Sequence, residues 1–198
     1  ARSRKEARRK AEYILSITPP ASRNNPYLMG KGILPYGEVR KGDDDCLILP
    51  VSDVSGKVVG LQFIFNDGKK RFLTGTKFNG SFFIIPSSDK KIKQLSIVEV
   101  CARSETVHAA INGTILVAFN SEDIIPVSRI AREKYPERTI VICADDDRER
   151  ENNPGMTKAT EAAISVKAKL AIPHFKDPTA KTDFNDLHLA EGIEAVRS

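Results

Sequence analysis

The sequence predicts an α/β protein, a central parallel sheet flanked by helices, preceded by a small basic subdomain rich in antiparallel strands. Three observations predict it. Between Cys46 and Pro86, short β-branched and aromatic runs alternate with turn-forming clusters. Beyond residue 92, strand-like and helical runs alternate, the pattern of a parallel sheet covered on both faces. The charge changes at the same place: residues 1–92 carry 17 Lys and Arg against 9 Asp and Glu, and residues 93–198 carry 14 against 17.

In chain order, "RKEARRKAEYILSI" predicts a short basic helix, with Ala7, Ala11, Ile14 and Leu15 at helical spacing. The prolines of "TPPASRNNP" end it. "CLILPV", "KVVGLQFIF", "KRFLTG" and "SFFIIP" then predict four strands of an antiparallel meander. Lys57, Lys69, Lys70, Arg71 and Lys77 stud its turns as candidate nucleic-acid contacts. In the second half, "LSIVEV", "GTILVAF", "RTIVICA" and "KLAI" predict strands. "ARSETVHAAI", "SEDIIPVSRIAREKY", "PGMTKATEAAISVKA" and "DLHLAEGIEAV" predict helices, the third with Asn153 as cap and Pro154 in its first turn. The boundary is expected near residue 92, giving units 1–92 and 93–198.

Composition sets limits. Hydrophobic residues make up 40% and charged residues 29%, enough for a globular core. No apolar run approaches the ~18 residues of a membrane span, and no signal peptide is visible. The missing initiator Met predicts a piece of a longer protein. Cys46, Cys101 and Cys143 are odd in number and far apart, which suits neither a disulfide framework nor a zinc site and points to a reducing, cytoplasmic setting. A basic front half and an acidic back half fit a division in which one binds phosphate and the other holds cations, although solvated surface charge explains the asymmetry as well.

Acidic residues gather where such sheets bind ligands, outside the carboxyl ends of the strands. Glu99 closes "LSIVE", and Asp145 to Asp147 close "TIVICA". Alternation along an extended chain turns Asp145 and Asp147 the same way and Asp146 elsewhere. With Glu99 they would form an oxygen-rich site for Mg²⁺ or Mn²⁺. Helix capping or solvated loop charge explains an isolated Asp-x-Asp equally well. "TDFNDLH", however, brings Asp183 and Asp186 to the same edge.

This pattern resembles the TOPRIM domain, with a Glu ending the first strand and an Asp-x-Asp ending the third. More specifically, "NPYLMGKGI", "LILPVSDVSGKVVGLQFI" with "DGKKRFLTG", "YPERTIVICADDD" with "NPGMTKATEAA", and "DFNDLH", in this order, resemble the primase part of phage and mobile-element primase–helicases. The likeness covers nearly the whole chain. It implies synthesis of RNA primers on a single-stranded DNA template from ribonucleoside triphosphates, in partnership with a helicase domain or subunit and away from membranes. It implies catalytic and metal-binding roles for Glu99, Asp145 and Asp147; Asp183, brought to the same edge, is added to the expected metal shell. Two positions depart from the pattern: Val100 stands where TOPRIM domains usually have Gly, and Arg103 where related primases have a small, hydroxyl or acidic residue. Arg103 is expected either to grip a nucleotide phosphate or to pair with a carboxylate in competition with metal. The alternatives are a weakened or inactive TOPRIM module that binds single-stranded DNA or a replication partner, and a TOPRIM nuclease. Phe63, Phe65, Phe82 and Phe83 are assigned to the core rather than to base stacking, and His108 to a structural role.

Overall fold

A computed structural model describes residues 2–146, 148, 151–177 and 183–198. Helix α1 (Arg2–Ile17) buries Ala7 and Ala11, while Arg4, Lys5, Arg8, Arg9 and Lys10 face solvent. A second helix, α2 (Pro26–Lys31), begins where Asn25 Oδ1 accepts the Leu28 N–H and ends at Gly32, whose φ of 64° is left-handed. That six-residue helix has no periodic signature, so the sequence reading passed over it.

Four antiparallel strands follow: β1 (Arg40–Lys41), β2 (Leu47–Ser52), β3 (Val58–Ile64) and β4 (Lys70–Phe72), in the order β1-β2-β3-β4. Their side chains alternate between two layers. Cys46, Ile48, Leu61 and Phe63 pack with α1, and Leu47, Leu49, Val51 and Ile64 face the main core. The expected fourth meander strand is corrected: β5 (Phe83–Ile85) pairs antiparallel with a strand of the second sheet instead. A bridge between Ser52 and Phe82, and the packing of Phe83 and Ile85 in one core with Leu49 and Val51, tie it back to the meander. Hydrophobicity marks a strand but does not name its neighbour, which accounts for the difference.

The second sheet contains β5, β6 (Gln94–Val98), β7 (Thr114–Val117), β8 (Thr139–Cys143) and β9 (Lys169–Ala171), in the order β5-β7-β6-β8-β9. The last four are mutually parallel. Helices α4 (Ser121–Lys134) and α5 (Pro154–Val166) cover one face, burying Val127, Ala131, Ala159 and Ala163 against Leu95, Ile97 and Ile142. On the other face lie α3 (Cys101–Ile111), α6 (Phe184–Glu191) and α7 (Ile193–Arg197), which pack on one another. The single expected final helix is two, interrupted at Gly192, whose φ of 86° and ψ of 171° no helix accommodates. The three cysteines are buried and free. No helix among the described residues is long and apolar enough to cross a membrane.

Candidate active site

Strands β6 and β8 are adjacent, with Val98 opposite Cys143, so Glu99 and Asp145 leave the sheet at the same carboxyl edge. The chain reverses its winding at this point: β7 lies to one side of β6 and β8 to the other, and the helices after β6 and β8 cover opposite faces. A crevice opens where such connections diverge. Asp183, the N-cap of α6, joins them there; its carboxylate reaches α3 through Arg103.

Arg103 stands among these acids. Its Nη1 lies 2.5 Å from Asp145 Oδ2, and its Nε donates to Asp183 Oδ2 at 3.0 Å. The other Asp183 oxygen accepts the Asp186 N–H at 2.8 Å, so both are engaged. The three side chains are 18%, 5% and 16% exposed, dry enough for charge to count heavily. Burial alone would weaken the Arg103 cation, but Asp145, Asp183 and Glu99 outweigh that loss and raise its pKa above the ordinary value. Asp146 points away, as alternation requires, pairing with Arg148 and accepting from Asn153 Nδ2 at 2.9 Å. Asp147 lies outside the described residues. Among the described residues, no three Asp, Glu, His or Cys side chains form a metal-ion cluster. Burial, then the charge of Asp145, pushes the Cys143 thiol up to about 12, so it remains protonated at neutral pH.

The meander closes the crevice. On β4, Lys70 is opposite Ile64 and Phe72 opposite Gln62, so both turn toward the second sheet. Phe72 meets Phe119, just past β7, edge-on at 5.7 Å. Although the residue is open to water, partial desolvation and then the charge of Arg103 draw the Lys70 pKa down, with Glu99 opposing. Lys70 thus feels the charges of Arg103 and Glu99. Arg71 turns the other way, over the Phe65 ring at 5.6 Å. Lys57, Lys69 and Lys77 are exposed, and Lys69 pairs with Asp67 at 2.7 Å. The length of β3, ~20 Å, separates the turn of Lys57 from that of Lys69, so the five cations make no single patch.

Sequence reasoning missed the contribution of α2. Burial, then the charges of Cys101 and Asp183, raise the Tyr27 phenol, with Arg103 opposing, so this buried residue lies close to the site. Asn185 Nδ2 donates to Lys31 O at 2.8 Å and Thr106 Oγ1 at 3.1 Å, joining "NPYLMGKGI" to "DFNDLH" and to α3. Nothing local in either segment announces that they touch. Val100 is extended, with φ −130° and ψ 147°, a conformation in which a β-branched residue carries no strain. His108 is buried, its Nδ1 3.0 Å from Gly113 O. Phe82 and Phe83 are core residues, and Phe63 and Phe65 pack partly under α1.

No protein-family model matches the chain. Two proteins of Escherichia coli, both called DNA primase TraC, are 32% identical to it over 174 and 175 residues, or 84% and 85% of the chain. The chain spans 16% and 12% of their lengths. Among solved structures, the DnaG primase catalytic domain bound to single-stranded DNA aligns over 98% of this chain and 77% of its own, at a TM-score of 0.63 and 13% identity. The primase fragment of the bacteriophage T7 primase–helicase aligns over 91% and 78%, at 0.58 and 15%. In sequence over most of its length and in fold over nearly all of it, the chain belongs to the TOPRIM primase domains of the phage and mobile-element type.

Proposed function

We propose that this chain is the catalytic core of a DNA primase, joining ribonucleotides into short RNA primers on single-stranded DNA by metal-dependent nucleotidyl transfer. One observation supports the reading: Glu99 and Asp145 follow adjacent parallel strands at the switch point of the sheet, and Arg103 feels the charge of both. The two relatives named as primases support it, as does a neighbour of like fold bound to single-stranded DNA. The fold resembles the primase part of a primase–helicase, so a helicase domain or subunit is the expected partner. In this reading residues 1–92 serve the template and residues 93–198 the chemistry.

The donor chemistry fits a divalent cation. Asp145 and Asp183 already gather about one positive group, and both are hard oxygen donors. Asp145, Asp147 and Glu99 would hold Mg²⁺ or Mn²⁺, with Asp183 beside them. Such an ion neutralises triphosphate charge and steers an in-line displacement when bound. Glu99 would take the proton of an attacking 3′-hydroxyl. Lys70 would hold the nucleotide or template phosphate near the carboxylates, and Lys57, Lys69 and Lys77 would attract the rest of the backbone, Arg71 lying on the α1 side of the meander.

A second reading has its own support. Arg103 paired to Asp145 fits a module that binds single-stranded DNA without polymerising. The assay combines the chain, single-stranded DNA, labelled ribonucleotides and Mg²⁺ or Mn²⁺. We expect primers, and a loss of about 10²–10³-fold in Asp145→Ala. Salt-sensitive DNA binding that survives Asp145→Ala, with no primers in either metal, would overturn the primase reading in favour of the second.

A further inference from the structure

Asp145, which follows β8, and Asp183, which caps α6, share a guanidinium from α3. Left alone in so dry a place, the two carboxylates would repel strongly. The guanidinium therefore does for the metal-free protein what a divalent ion would do for the loaded one. Its two contacts are not equivalent. The contact of Nε with Asp183 is a well-formed hydrogen bond, on a carboxylate whose other oxygen is fixed by the α6 cap. The buried Nη1 lies 2.5 Å from Asp145 Oδ2 yet has no hydrogen bond of sound geometry. The Asp183 end is the anchor, and the Asp145 end is the one that yields.

From this we infer that Arg103 is the resident counter-cation of the acidic site, and that a divalent ion takes Asp145 only by displacing its guanidinium, which stays hinged on Asp183. Asp183 then acts through Arg103 as a positioning residue. The freed guanidinium turns to the anion that accompanies the ion, a nucleotide phosphate, which its planar donors suit. The inference rests on the primase reading of the site.

The test is Mn²⁺ binding to the metal-free chain, read from the free-ion signal in electron paramagnetic resonance, with thermal unfolding in chelator and in Mn²⁺. Arg103→Met, which fills the same space without charge, should bind Mn²⁺ about tenfold or more tighter than wild type. It should also unfold at lower temperature in chelator, with the gap closing as Mn²⁺ is added. Arg103→Lys keeps a charge but cannot span both carboxylates, so its affinity should fall between the two; it also serves if the Met variant does not fold. Equal or weaker Mn²⁺ binding by both variants overturns the inference. Primer synthesis by wild type is read separately. Tighter binding by the variants with no primers from wild type sinks the primase reading alone, and primers with unchanged Mn²⁺ affinity sink the exchange alone.

Discussion

Glu105 is wholly buried on α3, six residues beyond Glu99, and no cation pairs with it among the described residues. Its Oε2 accepts the Tyr36 N–H at 3.0 Å, tying the segment before the meander to the helix that carries Arg103. Burial raises its pKa well above the ordinary 4.5, the hydrogen bond from Tyr36 opposing, so the carboxyl is carried neutral. The sign of the consequence follows from proton linkage. A carboxyl that holds its proton more tightly folded than unfolded contributes stability that is complete below its unfolded pKa of about 4.5 and is lost as pH rises through its folded pKa. Glu105→Gln keeps an acceptor for Tyr36 and removes the titration. We therefore expect the variant to match wild type at about pH 4 and to exceed it increasingly toward neutral pH, by about 1 kcal/mol or more, in urea unfolding across that range. A constant difference at every pH would show that Glu105 does not titrate in this way.

At the scale of elements, the contact between α2 and α6 sets the floor of the site. Gly32 ends α2 in the left-handed region, and a β-carbon there would come within 3.1 Å of Leu189 Cδ2. Gly30, on the same short helix, faces open space. Gly32→Ala should cost about 1–2 kcal/mol, and Gly30→Ala should be neutral or slightly stabilising, in urea unfolding of the two variants. Asn185→Ala, which strips buried partners from Lys31 O and Thr106 Oγ1, should cost about 1–3 kcal/mol by the same measurement. These contacts also show what a sequence conveys and what it does not. Regular elements were legible because periodicity and turn chemistry are local: Asn153 caps α5 as its position suggested, and Ala159 and Ala163 are buried. The pairing of β5, the break at Gly192 and the seat of α2 depend on partners far along the chain, which no window reveals. The same holds in the site, where strand-end position marked Glu99 and Asp145. The 80-residue reach from Arg103 to Asp183 left no local trace.

For the whole molecule, the primase reading asks which face would meet a template, because the basic charge of residues 1–92 is divided by the meander. Lys70 looks inward to the acidic crevice, while Arg71 and α1, with Arg4, Lys5, Arg9 and Lys10, lie on the far side of the same sheet. A strand of nucleic acid at the crevice meets Lys70 directly, and meets α1 only by passing over the edge of a sheet one layer thick. Each phosphate contact removed lowers the dependence of binding on salt by a predictable step, about 0.7 in log K against log salt for single strands. Lys70→Gln should weaken binding of an oligonucleotide and reduce that slope by about 0.7, whereas replacing Arg4, Lys5, Arg9 and Lys10 together with Gln should leave it nearly unchanged. Fluorescence anisotropy across a salt series reads both variants. If the α1 variant lost several times the slope that Lys70→Gln loses, the outer face would be the template path, and the net +5 charge would act there rather than at the crevice.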